Sequence, residues 1–246
     1  MAEATKPGSP ERQLLRKFVA AGGSGEQQAK FFRRLAVFVA VTKPSRIFML
    51  GHRSARDLQP LFRAGRDQFV TTVREPLQVT RSLAAYRVYR IMQGGAAASR
   101  ILNAMNLDLQ RFEALLKDDP RELVRQIMHR ESPSLCAALS FGNDATAASV
   151  WADLRNSRCC IAHSSEQAPM LQTVFGKPVN NYSENTAVGR EGSGANFAEI
   201  VEDEWLAPFI DPQDSLLYER FDRVGLIGFW RGGGSLDDYH ELLASG

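Results

Sequence analysis

The sequence predicts an α/β fold with a mainly parallel central sheet flanked by helices, on three observations. Short apolar runs stop abruptly at Gly, Arg or His, as strands buried on both faces do. Between them lie stretches with apolar residues three and four apart, the spacing of amphipathic helices. Two stretches open on Asp-Pro, which supplies a capping side chain and a residue suited to the first helical position. Strands alternating with helices in this way favour a parallel sheet. At 246 residues the chain is long enough for one stable core, and a single domain over residues 1–246 is expected.

Taken in order, residues 1–10 carry Lys, Pro, Gly and Ser without an apolar run. Leu14, Leu15, Phe18 and Val19 then have helical spacing, ended by Gly22-Gly23, and a second amphipathic helix is expected over 27–41. A buried strand is expected over 46–52, closing on Gly51-His52, and another over 68–73, stopped by Arg74-Glu75-Pro76. The helix from Pro76 is expected to carry Leu83, Tyr86 and Ile91 on one side. Ile101, Met105, Leu109, Phe112 and Leu116 predict one continuous apolar face. Asp119-Pro120-Arg121-Glu122 starts the next helix, and Cys159-Cys160-Ile161-Ala162 reads as a strand. Ser164-Ser165-Glu166-Gln167 opens a helix ended by Gly176, and Asp211-Pro212 opens another ahead of Leu216, Leu217 and Phe221.

Composition narrows the function classes. Hydrophobic residues are 44% and charged residues 24%, near the globular average, which excludes a wholly disordered chain. Lys+Arg is 30 against Asp+Glu 28, a net charge of +2, which excludes a histone-like protein but leaves room for a local anion site. The three cysteines form no CxxC and no zinc-spaced cluster. Cys159 and Cys160 read as buried thiols, which fits a reducing, cytoplasmic compartment. No segment approaches the roughly 18 apolar residues of a membrane span. The run at 35–41 is too short and too far from the start for a signal peptide.

Ligands of open parallel sheets bind at the carboxyl ends of the strands, where His52 and Arg74 fall. The planar fork of Arg74 suits a phosphate. Ser82 lies about two turns into the following helix and could reach the same anion. Ahead of the first helix, Lys6-Pro7-Gly8-Ser9 offers an ammonium and backbone N–H groups to a second phosphate. Two anion sites suit a nucleotide phosphorylated at two positions. His129 and His163 read as ordinary helix-surface and strand-edge residues.

This arrangement resembles the sulfotransferases that use 3′-phosphoadenosine 5′-phosphosulfate (PAPS), and is most similar to the carbohydrate type that includes the heparan sulfate 2-O-sulfotransferases. The matching segments are Gly51-His52, then Phe69-Val70-Thr71-Thr72-Val73-Arg74-Glu75-Pro76 running to Arg81-Ser82 and Tyr86. They continue with Ile161-Ala162-His163-Ser164-Ser165-Glu166, Asn181-Tyr182-Ser183 and Asp214-Ser215-Leu216-Leu217-Tyr218, in the family's order. The resemblance implies a P-loop-like three-layer fold and PAPS as co-substrate, with no metal. It implies a small-molecule or glycan acceptor, and neither nucleic acid nor a membrane span. Arg74 and Ser82 would hold the 3′-phosphate, Lys6, Gly8 and Ser9 the 5′-phosphosulfate, and His52 would be the general base.

Departures from the family pattern lie at the N-terminus. Family loops read Lys-Thr-Gly after a buried strand, whereas Pro7 replaces the Thr, Pro10 sits near a hydroxyl position, and no strand of useful length is expected before Lys6. Two readings follow: an active sulfotransferase, or a non-enzymatic relative that binds a 3′-phosphorylated adenine nucleotide or a partner. A nucleoside-phosphate kinase would need Gly-x-x-x-x-Gly-Lys-Ser/Thr, which is absent. A nucleic-acid binder would need a concentrated basic face with interleaved aromatics, and the basic residues are dispersed along the chain.

Overall fold

The computed structural model describes residues 55–58, 69–130, 132–142, 144–157, 159–176 and 193–246. Among them the chain is mostly helical, with one two-stranded parallel sheet, an α/β arrangement. The strand expected over 46–52 and both helices expected ahead of it lie outside the described residues. So do Lys6, Gly8, Ser9, His52 and the Asn181-Tyr182-Ser183 element.

The sheet pairs β1 (Phe69–Val73) with β2 (Cys159–His163), in register from Phe69 opposite Cys159 to Val73 opposite His163. β2 is buried from Cys159 through Ala162, as its unbroken apolar run requires. All three cysteines are free and buried. Burial pushes the Cys136 thiol up to about 12, helped by the Asp214 carboxylate, so it is an inert packing group.

The far edge of β2 is closed by side chains. The Ile161 N–H donates to Tyr239 Oη at 2.8 Å, and Trp230 Nε1–H donates to the Ile161 carbonyl at 2.7 Å. The two rings stack at 4.9 Å with 22° between planes. The N–H and C=O of Ile161 on that edge are thereby satisfied by side chains, and among the described residues no third strand pairs there.

Around the sheet pack α1 (Ala55–Leu58), α6 (Leu135–Leu139), α7 (Ala147–Asn156), α8 (Gln167–Phe175), α11 (Pro212–Arg223) and α12 (Leu236–Ser245). Their core holds Trp151, Leu154, Ile161, Met170, Phe221 and Trp230. A second core lies among α2 (Pro76–Met92), α3 (Gly95–Met105), α4 (Leu109–Asp118), α5 (Pro120–Arg130), α9 (Ser193–Ile200) and α10 (Asp203–Leu206). It holds Val88, Ile91, Leu102, Phe112, Leu123 and Phe197.

Two expectations about the helices need correction. The buried side of α2 is Thr80, Ala84, Ala85, Val88 and Ile91, while Tyr86 is 39% exposed. Ile91 is on the buried side as expected and Leu83 packs partly buried beside it, but Tyr86 is not, and the small Ala84 and Ala85 fill the inner face where α9 and α3 pack on α2. The face expected from Ile101 to Leu116 is two helices. α3 stops at Asn106, whose left-handed φ of 57° ends it, and Asp108 caps α4 by accepting from the Arg111 N–H at 2.7 Å. Leu109 is consequently 50% exposed.

The capping signals hold elsewhere. Asp119 accepts from the Glu122 N–H at 3.0 Å and Asp211 from the Gln213 N–H at 2.9 Å. Ser164–Glu166 forms a 3-10 turn leading into α8, which ends at Gly176 in the left-handed region. Among the described residues no helix is long and apolar enough to cross a membrane.

Candidate functional site

Because β1 and β2 are parallel and in register, the residues that leave them emerge side by side at one sheet end. Arg74 follows Val73, and Ser164 follows His163. The Arg74 guanidinium donates from Nη1 to Ser82 Oγ at 3.2 Å and from Nε to Ser164 Oγ at 3.3 Å. The sequence-derived pair Arg74 and Ser82 is therefore in contact, and Ser164 joins it from the second strand. Ser82 and Ser164 are half-buried, while Arg74 is exposed. A guanidinium carries five N–H donors in a planar fork, so most of its capacity remains for an oxyanion beside the two hydroxyls.

A second polar group adjoins through β2. Ser165 Oγ lies 2.7 Å from His163 Nδ1 and accepts from Arg231 Nη2 at 2.7 Å. The Ser165 N–H also donates to His163 Nδ1 at 3.3 Å, so Nδ1 is the acceptor and the ring proton sits on Nε2. Burial holds the His163 pKa below the usual imidazole value, the nearby cations Arg231 and Arg74 lower it further, and Glu166 and Glu75 partly oppose this. A neutral imidazole, two guanidinium groups and three hydroxyls thus gather where a parallel sheet ordinarily receives its ligand.

Glu166 fixes this arrangement. Its fully buried carboxylate accepts from the N–H groups of Gly228 at 2.9 Å, Arg231 at 3.3 Å and His163 at 3.3 Å. Arg231 Nε stands 3.8 Å from the same carboxylate. The segment around Phe229–Gly232 is thereby locked onto the end of β2, which aims Arg231 at Ser165. Half-buried Tyr218 from α11 is raised in pKa, first by burial and then by the carboxylates of Glu75, Asp222 and Glu166.

Sequence reasoning found Arg74 and Ser82 and missed Ser164, Ser165, Glu166 and Arg231. It also set His163 aside as a strand-edge residue, whereas its imidazole joins the polar group. The signal for the serines was present: they leave β2 at the register position where Arg74 leaves β1. Nothing local marks Arg231, which reaches Ser165 from 66 positions away only through the tertiary fold of α11 and its following turn. Among the described residues no group of three or more His, Cys, Asp or Glu side chains is gathered to hold a metal ion.

Set against known proteins, the chain matches no family model, no curated protein and no solved structure.

Proposed function

We propose that this chain is a PAPS-dependent sulfotransferase, moving a sulfuryl group from 3′-phosphoadenosine 5′-phosphosulfate to a hydroxyl of a carbohydrate-type acceptor. The observation that carries the reading is the Arg74–Ser82 contact at the carboxyl end of β1, with Ser164 alongside. That is the side-chain pair the resemblance assigns to the 3′-phosphate, and its donors suit a dianionic group.

In the proposed reaction a bond forms between the acceptor oxygen and sulfur while the bond from sulfur to the 5′-phosphate oxygen breaks. His52 takes the acceptor proton, and 3′-phosphoadenosine 5′-phosphate leaves. Lys6 offsets charge on the departing oxygen, and Gly8 and Ser9 donate to the phosphosulfate. Such transfers depend mainly on positioning and electrostatics. The P-loop-like three-layer fold belongs to this proposal. It requires the strand over 46–52 to pair with the edge of β1 that no other strand among the described residues covers, since Tyr239 and Trp230 occupy the edge of β2 at Ile161.

Pro7 and Pro10 favour a second reading, a relative that binds the nucleotide without transferring sulfate. Proline has no N–H, so each removes a donor from a loop meant to cradle an anion. Transfer of labelled sulfate from PAPS to a panel of sugars separates the two. In the enzyme, His52→Ala lowers turnover by about 10²–10⁴ with nucleotide binding kept, the worth of a positioned base. Nucleotide binding without transfer, together with a silent Lys6→Ala, establishes the binding-only relative. Absence of nucleotide binding removes both.

A further inference from the structure

The dispersed arginines of the sequence come together on the helical side of the molecule. A cavity of about 380 Å³ opens there, with Arg87 and Arg90 from α2, Arg100 from α3 and Arg130 from α5 around it. Among the described residues no carboxylate lines it, and neither α2 nor α3 contains a single Asp or Glu. Its floor is apolar, with Ile101 and Ile127, and the exposed ring of Tyr86 stands at its rim.

Three other arginines among the described residues are paired with carboxylates: Arg81 with Asp203, Arg125 with Glu122 and Arg231 with Glu166. Among the described residues Arg90, Arg100 and Arg130 form no such pair. A neighbouring cavity of about 510 Å³ shares Arg130, but its Arg125 is tied to Glu122. Helix-end electrostatics account for part of the pattern. Arg90 lies in the last turn of α2 and Arg130 ends α5, where a cation complements the helix dipole. Arg100 is not explained in that way. Gathering like charges around one concavity costs stability that a bound anion restores.

We propose that this cavity binds a compact organic polyanion, carrying at least two phosphate or sulfate groups on an apolar or aromatic body. The guanidinium groups bind the anionic groups by forked, charge-assisted hydrogen bonds, and the apolar floor with Tyr86 covers the body. A three-walled cavity of this volume fits a small molecule, whereas a polymer asks for an extended groove. The site is separate from the strand-end group: Arg90 is sixteen residues beyond Arg74, with α2 running between them.

Calorimetry on the Arg74→Ala protein, which lacks the strand-end fork, tests this without reference to sulfuryl transfer. Adenosine triphosphate without magnesium and 1,5-naphthalenedisulfonate are the two probes, and they separate phosphate from sulfate-like recognition. The expected result is 1:1 binding of at least one probe, weakened about tenfold or more by Arg100→Ala and by Arg130→Ala, since each removes a charge-assisted hydrogen bond to the anion. Affinity should fall as salt rises, and both variants should melt no lower than the parent at low salt because they relieve like-charge repulsion. No binding of either probe at millimolar concentration overturns the proposal, as does binding indifferent to both substitutions. A single-stranded oligonucleotide that binds far more tightly than either probe, and loses affinity in the same variants, also overturns it in favour of a polymer.

Discussion

The sheet region and the helical region bury similar side chains but are held in different ways. Around β2, distant segments reach in with polar groups: Tyr239 and Trp230 clamp Ile161, and Glu166 gathers three backbone N–H groups. Asp214 of α11 is likewise buried and accepts from the N–H groups of Leu135 and Cys136 at 2.8 Å and from Ser134 Oγ–H at 3.1 Å. Among α2 to α5 the buried contacts are apolar, and the polar bonds are local caps such as Asp108 and Asp119. The sheet region is thus specified by long-range directional bonds. The helical region is specified mainly by periodicity and caps, and among the described residues its Arg90, Arg100 and Arg130 form no ion pair with a carboxylate.

Substitutions can break or sharpen this contrast. The largest effect is expected for Trp230→Ala, about 3–5 kcal/mol from lost packing, with the Ile161 carbonyl left unpaired besides; chemical denaturation measures it. Asp214→Ala follows, at on the order of 3 kcal/mol, because the buried Cys136 N–H and the part-buried Leu135 N–H lose their acceptor. Tyr239→Phe removes one oxygen and should cost about 1–3 kcal/mol. In the helical region, Asp119→Ala should cost about 1 kcal/mol, the usual worth of a cap. If Tyr239→Phe costs less than Asp119→Ala, the long-range bonds do not distinguish the two regions.

The smallest effect concerns pH. His163 has a lowered pKa in the folded protein, so the unfolded chain binds its proton more readily. Stability contributed by neutral His163 is present above the unfolded value of 6.5 and is lost as pH falls from there toward the folded value. His163→Gln should flatten that part of the stability profile. On the helical side, Glu122 is lowered to about 2 by its hydrogen bond from Arg125, then by Gln126, so its contribution is lost between pH 4.5 and about 2. That pair is surface-exposed and its effect should be slight.

This contrast also explains what was legible in the sequence. Caps and apolar runs are local, so β1, β2, α5, α8 and α11 could be read with their boundaries nearly right. The break between α3 and α4 escaped because apolar spacing continues across Asn106 and Asp108, whose polar stop and start were not weighed. The inner face of α2 escaped because close helix packing selects Ala over Tyr. At the strand ends Arg74 and Ser82 are eight residues apart on one strand–helix unit, which spacing alone relates. Arg231 and Glu166 are 65 residues apart, and only the assembled fold brings them together. The arginine cavity is invisible for the same reason: its four cations come from three helices.

The central claim is that Arg74, with Ser82 and Ser164, forms a phosphate site at the end of β1. Calorimetric titration with 3′-phosphoadenosine 5′-phosphate and with adenosine 5′-phosphate tests it most directly, in the wild type and in Arg74→Ala. The expected result is tighter binding of the 3′-phosphorylated nucleotide by the wild type, with that preference reduced about tenfold or more in Arg74→Ala, since the lost charged bonds contribute roughly 1.5–3 kcal/mol each. Equal affinity for the two nucleotides, or a preference that survives Arg74→Ala unchanged, would contradict it.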